Sequence, residues 1–276
     1  MLTDVFVPLL TYPDADTEAM IECAMRVCRP FATSVAFTTF EVDIPNIAYS
    51  LGAEFYDVSG LIAEAEKFSR ANTERLGKRI AQLGGALPVT SATARMRQDE
   101  ITLAATAMAA LHDLSIIEVK PGAIGQRELA EGLVFGSGRP ILVLPAASPL
   151  SPVHEHIAIA WDGGRAAARA VQDAMPLLVK ARSVTLLTAF DDKAIGESTV
   201  AGLAGYLRRH AIEAKHHDVS SAGISIGAAL QAGASKQGAG LLVMGAFGHS
   251  RIRDFVMGGA TRSTLDEVKL PIFLSH

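Results

Sequence analysis

The chain has 276 residues, long enough for two domains of ordinary size, and hydrophobic residues make up 49%, enough to fill two cores. Its formal charge of −4 is spread along the chain without a basic patch or a long charge run, which speaks against nucleic acid or an anionic membrane as partner. No apolar run reaches the ~20 residues of a membrane helix, and the N-terminus MLTDVFVPLLTYPDAD lacks the basic start of a signal peptide, so a cytoplasmic, soluble protein is expected.

The pattern then alternates short apolar runs with helical periodicity. A strand is predicted from Asp4 to Leu10, then a helix from about Thr17 with Met20, Ile21, Ala24 and Val27 on one face. The strand SVAFTTF follows, then an excursion from Glu41 to Gly60, whose Tyr49, Phe55 and Tyr56 either cover a crevice or pack on the domain. A long helix is predicted near Leu61–Leu83, the strand ALPVTSATA next, and a helix capped by Asp99. The strand LSIIEV, a helix from Gln126, a C-terminal turn at FGSGRP and the strand PILVLP close this half. Cys23 and Cys28 lack the C-x-x-C spacing of a redox or zinc motif and read as packing residues.

Proline and serine cluster in PAASPLSPVHEH, which reads as a linker over 148–156. The order then repeats. HIAIAW is a strand, RAAARAVQDAMPLLVKA a helix with Ala167, Ala170, Val171, Ala174 and Leu178 on one face, and Pro176 is expected to kink it. The strand SVTLLTAF, a helix over Glu197–His210, the strand AKHHDVSS, a helix over Ser225–Lys236, the strand GLLVMGA, a helix from about Ala260 and the strand PIFLS complete the chain. The fold class expected is α/β: two tandem doubly wound domains, 1–147 and 157–276, each a five-stranded parallel sheet with helices on both faces.

Ligands in such sheets sit outside the carboxyl ends of the strands, where strand order reverses. There the segment VMGAFGHSRIRDFVMGGATRSTL places Gly245 and Gly248 after a strand and Gly258 and Gly259 before a helix. Two readings are open. The glycines are turn and cap positions, or their amides cradle phosphates, with His249, Ser250 and Arg251 facing the crevice and Arg251 or Arg253 adding charge. A P-loop and a G-x-G-x-x-G after a strand are both absent. His154 and His156 around Glu155 are too few for a metal site, and the adjacent His216 and His217 fall on opposite faces of a strand. Asp191 and Asp192 read as solvated loop carboxylates, and no G-x-S-x-G elbow supports Ser-His-Asp catalysis.

The spacing G-x2-G-x9-G at Gly245, Gly248 and Gly258, followed by a short helix and LPIFL, resembles the universal stress protein family, as does IAIAWDGGRAAARAV. The resemblance covers the second half well and the first as a diverged copy. It implies a tandem member with folds like those of adenine nucleotide α-hydrolases. It also implies a regulator or sensor in the stress response that binds ATP or AMP with Mg. Asp162 would meet adenosine, or else cap the following helix. Ala189 would meet adenine through its backbone. Gly245, Gly248 and Gly258 would hold ribose and phosphates, and Gly259 and Ala260 would offer amides to the phosphates. The family carries serine or threonine where this chain has Gly259, a hydroxyl that Thr261 partly replaces. The first half has Gly122 and Gly125 but not the long loop, and is expected to bind no nucleotide. The resemblance further implies that PILVLP and PIFLSH pair in an intramolecular pseudo-dimer, with further homodimerisation and unidentified protein partners open. The alternatives are a nucleotide-free assembly module and a slow ATP hydrolase, for which His249 or Asp254 would be the base.

Overall fold

The computed structural model describes residues 2–45, 58–146, 153–189, 196–221, 223–246 and 259–276. The expected excursion beyond Pro45, the loop residues Asp191 and Asp192, and residues 247–258 therefore lie outside the described residues.

Short, mostly buried strands alternate with helices in two successive βα arrays. The first half contains β1 (Asp4–Leu10), α1 (Glu18–Cys28), β2 (Ser34–Val42), α2 (Val58–Ala81), β3 (Val89–Met96), α3 (Ile101–Ala109), β4 (Leu114–Val119), α4 (Ile124–Gly136) and β5 (Ile141–Pro145). The second contains β6 (His156–Ala160), α5 (Arg165–Leu178), β7 (Ser183–Ala189), α6 (Glu197–Arg209), β8 (Ala214–Val219), α7 (Ile226–Lys236), β9 (Leu241–Gly245), α8 (Gly259–Asp266) and β10 (Ile272–Ser275). Thr17 caps α1 by accepting from the Met20 N–H, and Ser225 caps α7 in the same way through Ala228. The α1 and α5 stripes expected from periodicity are buried throughout.

One local expectation is corrected. Asp99 does not cap α3. It lies inside a 3-10 turn over Gln98–Glu100 and takes the Arg97 guanidinium at 3.0 and 2.8 Å, so α3 starts only at Ile101. Pro176 lies inside α5, in its last turn, and the helix continues past it to Leu178.

The strands of the described residues join one ten-stranded sheet in the order β3-β2-β1-β4-β5-β10-β9-β6-β7-β8. Every pairing is parallel except β5 with β10, which is antiparallel with Leu142 opposite Phe273. Each half is thus a five-stranded parallel sheet, and the halves meet at their last strands. Two apolar layers run across that seam. Leu142, Leu144 and Phe273 join the layer under α1, α2, α5 and α6, whereas Ile141, Val143, Ile272 and Leu274 join the layer under α3, α4, α7 and α8. At the surface of the seam Arg127 on α4 meets Asp266 on α8 at 2.8 Å. Among the described residues no helix is long and apolar enough to cross a membrane.

Candidate functional site

In the second half the strand order reverses between β6 and β9, which lie side by side, with β7 next to β6. Their carboxyl ends bring Asp162, Ala189 and Gly245 to one rim of the sheet, the position where an open α/β fold binds ligands. Gly259, Ala260 and Thr261 are the first residues of α8. Gly248, His249, Arg251 and Gly258 lie outside the described residues.

Each described position has a local cause. Asp162 is exposed, and its Oδ1 accepts from the Gly164 N–H at 2.7 Å, closing a turn at the start of α5. Gly163 between them has φ +74, in the left-handed region that glycine favours. A Cβ on Gly164 would lie 2.9 Å from that same carboxylate oxygen, so Asp162 and both glycines form one compact unit. Part of the carboxylate's bonding capacity is therefore spent within the chain, in a turn that precedes α5 and not in a side-chain cap of it.

Gly245 has a packing cause that no local pattern announces. A Cβ there would lie 2.4 Å from Ala167 N and 2.5 Å from Ala166 C. The strand end passes directly beneath the first turn of α5. Gly259 is the opposite case, since a Cβ there meets nothing within 4 Å. The α8 turn is anchored from behind. Ser263 Oγ donates to Gly259 O at 2.7 Å and Thr264 Oγ1 to Ala260 O at 2.7 Å, while the Gly227 N–H of α7 donates to Ser263 Oγ. A helix start is the kind of position whose first amides suit an anion. Thr261 is only 2% exposed and belongs to the buried side of α8.

Two further features escaped the sequence reading. Trp161, next to Asp162, packs on the layer under α5 and α6, and its buried Nε1–H has no partner among the described residues. Beside Ala189, the buried Thr188 hydroxyl donates to Asp218 Oδ1 at 2.6 Å and lies 2.8 Å from His216 Nε2. Placing these three groups together requires the β7–β8 register, which sets Leu186 opposite His216 and Thr188 opposite Asp218.

The first half can be compared position by position through strand register. Val5 of β1 pairs with Leu114 as Ile157 of β6 pairs with Leu241, so Leu10 stands where Asp162 stands and Glu118 where Gly245 stands. The pairing of Asp4 with Ser34 and of His156 with Ser183 likewise places Phe40 where Ala189 stands.

A buried polar network occupies this rim of the first half. Asp16, 2% exposed, accepts from the Leu10 N–H at 2.7 Å and from Gln126 Nε2 at 2.9 Å. Gln126 Oε1 accepts from the Lys120 N–H at 2.9 Å, and Lys120 Nζ donates to Ala15 O at 2.7 Å and lies 3.4 Å from Glu118 Oε2. Burial pushes the Asp16 carboxyl up to about 7, against the pull of its hydrogen bonds, and raises Glu118 too.

A cavity of about 290 Å³ lies nearby, with Leu10, Asp43, Arg97, Asp99, Gly125 and Glu128 in its wall. Its wall mixes charges already paired within the chain, Arg97 with Asp99 and Asp43 with Arg95. Among the described residues no group of three or more His, Cys, Asp or Glu is placed to hold a metal.

No family model and no curated protein sequence matches the chain. Solved structures do. A universal stress protein from Archaeoglobus fulgidus DSM 4304 superposes with a TM-score of 0.66 at 12% identity, over 99% of this chain and 97% of that one. A protein of Pseudomonas aeruginosa UCBPP-PA14 provisionally assigned as a universal stress protein gives 0.57 at 13% identity, over 99% and 93%. A functionally unknown protein of Pseudomonas aeruginosa PAO1 gives 0.56 at 13% identity, over 98% and 92%. The alignments run through both halves and the seam, so the chain has the fold of a tandem universal stress protein.

Proposed function

We propose that this protein is an adenine-nucleotide-binding regulator of the universal stress type, holding ATP or AMP with Mg at the rim of its second half. The observation that supports the reading is the placement of Asp162, two residues past the end of β6, and of Gly245, the last residue of β9, at the carboxyl ends of neighbouring strands where strand order reverses. In this reading Asp162 and the Ala189 backbone orient the nucleoside. Gly245, Gly248 and Gly258 let the backbone approach ribose and phosphates, Gly259 and Ala260 donate amides, and His249 and Arg251 add polar contacts. The first half binds no nucleotide, because Leu10, Phe40 and Glu118 stand at the equivalent positions and Lys120 occupies the rim.

A second reading, a nucleotide-free assembly module, is favoured by one specific observation. Gly245 and the Asp162–Gly164 turn are both accounted for by packing at the start of α5. Calorimetric titration of the purified protein with ATP and with AMP in the presence of magnesium separates the two. The first reading expects about one nucleotide per chain, lost in Gly258→Val and weakened in Asp162→Ala. No binding at millimolar nucleotide overturns it in favour of the second. Phosphate release over time tests turnover separately.

A further inference from the structure

We propose that the outer edge of β3 is a homodimerisation surface on which two copies of this chain pair antiparallel about a two-fold axis. The inference concerns the far end of the sheet and does not depend on nucleotide. β3 is a terminal strand, paired with β2 along its whole length from Val35 opposite Val89 to Val42 opposite Met96, and among the described residues no strand lies beyond it.

Two ladder bonds identify which backbone groups are left over. Val35 N–H donates to Pro88 O and Asp43 N–H to Met96 O, so the even-numbered residues of this strand turn their backbone groups toward β2. The odd-numbered residues Val89, Ser91, Thr93 and Arg95 turn theirs outward. Each offers one N–H and one C=O, in regular spacing without a bulge.

Such an edge is ordinarily blunted by charge, proline, a bulge or brevity. β3 from Val89 to Ala94 reads VTSATA, without charge or proline, and Thr90, Ser91, Ala92 and Thr93 are exposed in succession, so both faces of the strand are open there. The opposite terminal strand differs. β8 reads AKHHDV, and two of its ionisable side chains, His216 and Asp218, are tied to Thr188.

The edge is also complementary to itself. A two-fold axis at Ala92 sets Ser91 opposite Thr93 of the second copy and Val89 opposite Arg95. It is the register in which every outward group from Val89 to Arg95 finds a partner. Ala92 then faces its own copy and Thr90 faces Ala94. No like charges are opposed, small side chains meet at the axis, and the serine–threonine pairs are of a kind that favours pairing across strands. A shift of two residues in either direction keeps the parity but strands outward groups. The occupant that fits this edge is therefore a second copy of the same strand, which extends the sheet across the dimer axis.

Sedimentation equilibrium of the full chain, from low to high micromolar, tests this. The expected result is a monomer–dimer equilibrium with a limiting mass of twice 29.1 kDa. Thr93→Pro removes an outward N–H without touching the β2 ladder, and should weaken the dimer roughly a hundredfold with circular dichroism unchanged. Ala92→Lys and Ala92→Glu each place like charges at the axis, and each should be monomeric. An equimolar mixture of the two should recover the dimer, an outcome that misfolding cannot imitate. A wild-type chain monomeric throughout the range overturns the proposal. So does a dimer that persists in Ala92→Lys and Ala92→Glu alone.

Discussion

Gly245 separates a packing requirement from a ligand requirement, and Gly245→Ala measures the first. The added Cβ would sit 2.4 Å from Ala167 N and 2.5 Å from Ala166 C, both backbone atoms of the α5 first turn. No side chain can rotate away, so the turn must retreat by about 1 Å from the sheet, an overpacking of the kind that costs about 1–3 kcal/mol. The retreat would loosen Ala166, Ala167, Ala170 and Val171, which are buried against the sheet. For a chain of this length, with a urea slope of about 3 kcal/mol per molar, the midpoint should fall by roughly 0.3–1 M with the slope unchanged. The measurement is made without nucleotide. Gly259→Ala is the control, since its Cβ meets nothing within 4 Å and alanine suits a helical first turn, so its midpoint should hold or rise slightly. A Gly245→Ala midpoint equal to wild type would refute the packing account and leave ligand approach as the reason for this glycine.

Other consequences are equally direct. Gly259→Ser should restore a hydroxyl at the opening of α8 without a clash and tighten ATP by roughly fivefold, about 1 kcal/mol; titration checks this, and unchanged affinity contradicts it. Asp16 rises from 3.8 unfolded to about 7 folded, so between these values the folded chain holds a proton that the unfolded chain releases. Its contribution is therefore greatest below pH 4 and is lost as pH rises to 7, by about 4 kcal/mol in all; Asp16→Asn should flatten that slope in urea titrations across pH. Phe273→Ala, at the fully buried seam, should cost about 3–5 kcal/mol, whereas the half-exposed Arg127–Asp266 pair should show a coupling below about 1 kcal/mol in a double-mutant cycle that vanishes in high salt.

The element order was legible because each element carries its own period. The buried stripes of α1 and α5, and the continuous apolar runs of β4 and β9, are local signals of a sheet covered on both faces. What was not legible depends on register. Nothing near Gly245 in sequence says that α5 lands on it, because Ala166 and Ala167 lie some eighty residues away. The same holds for Glu118, whose equivalence to Gly245 exists only through strand pairing. The terminal position of β3 could not be read either, since VTSATARM carries no long apolar run and no charged edge signal before Arg95. Asp99 misled because its side chain has a stronger partner two residues back, and the guanidinium of Arg97 outcompetes a helix N–H. Asp162 carried both meanings in sequence; its bond to the Gly164 N–H closes a turn before α5, whose N-cap is Gly164 without a side-chain cap bond, and leaves both meanings to be tested.

The most direct test of the central claim is the calorimetric titration of the full chain with Mg–ATP, run beside Gly258→Val. The account predicts saturable binding near one nucleotide per chain that the substitution abolishes while the urea midpoint stays put. Absence of binding at millimolar nucleotide, or binding that survives in Gly258→Val, would contradict it.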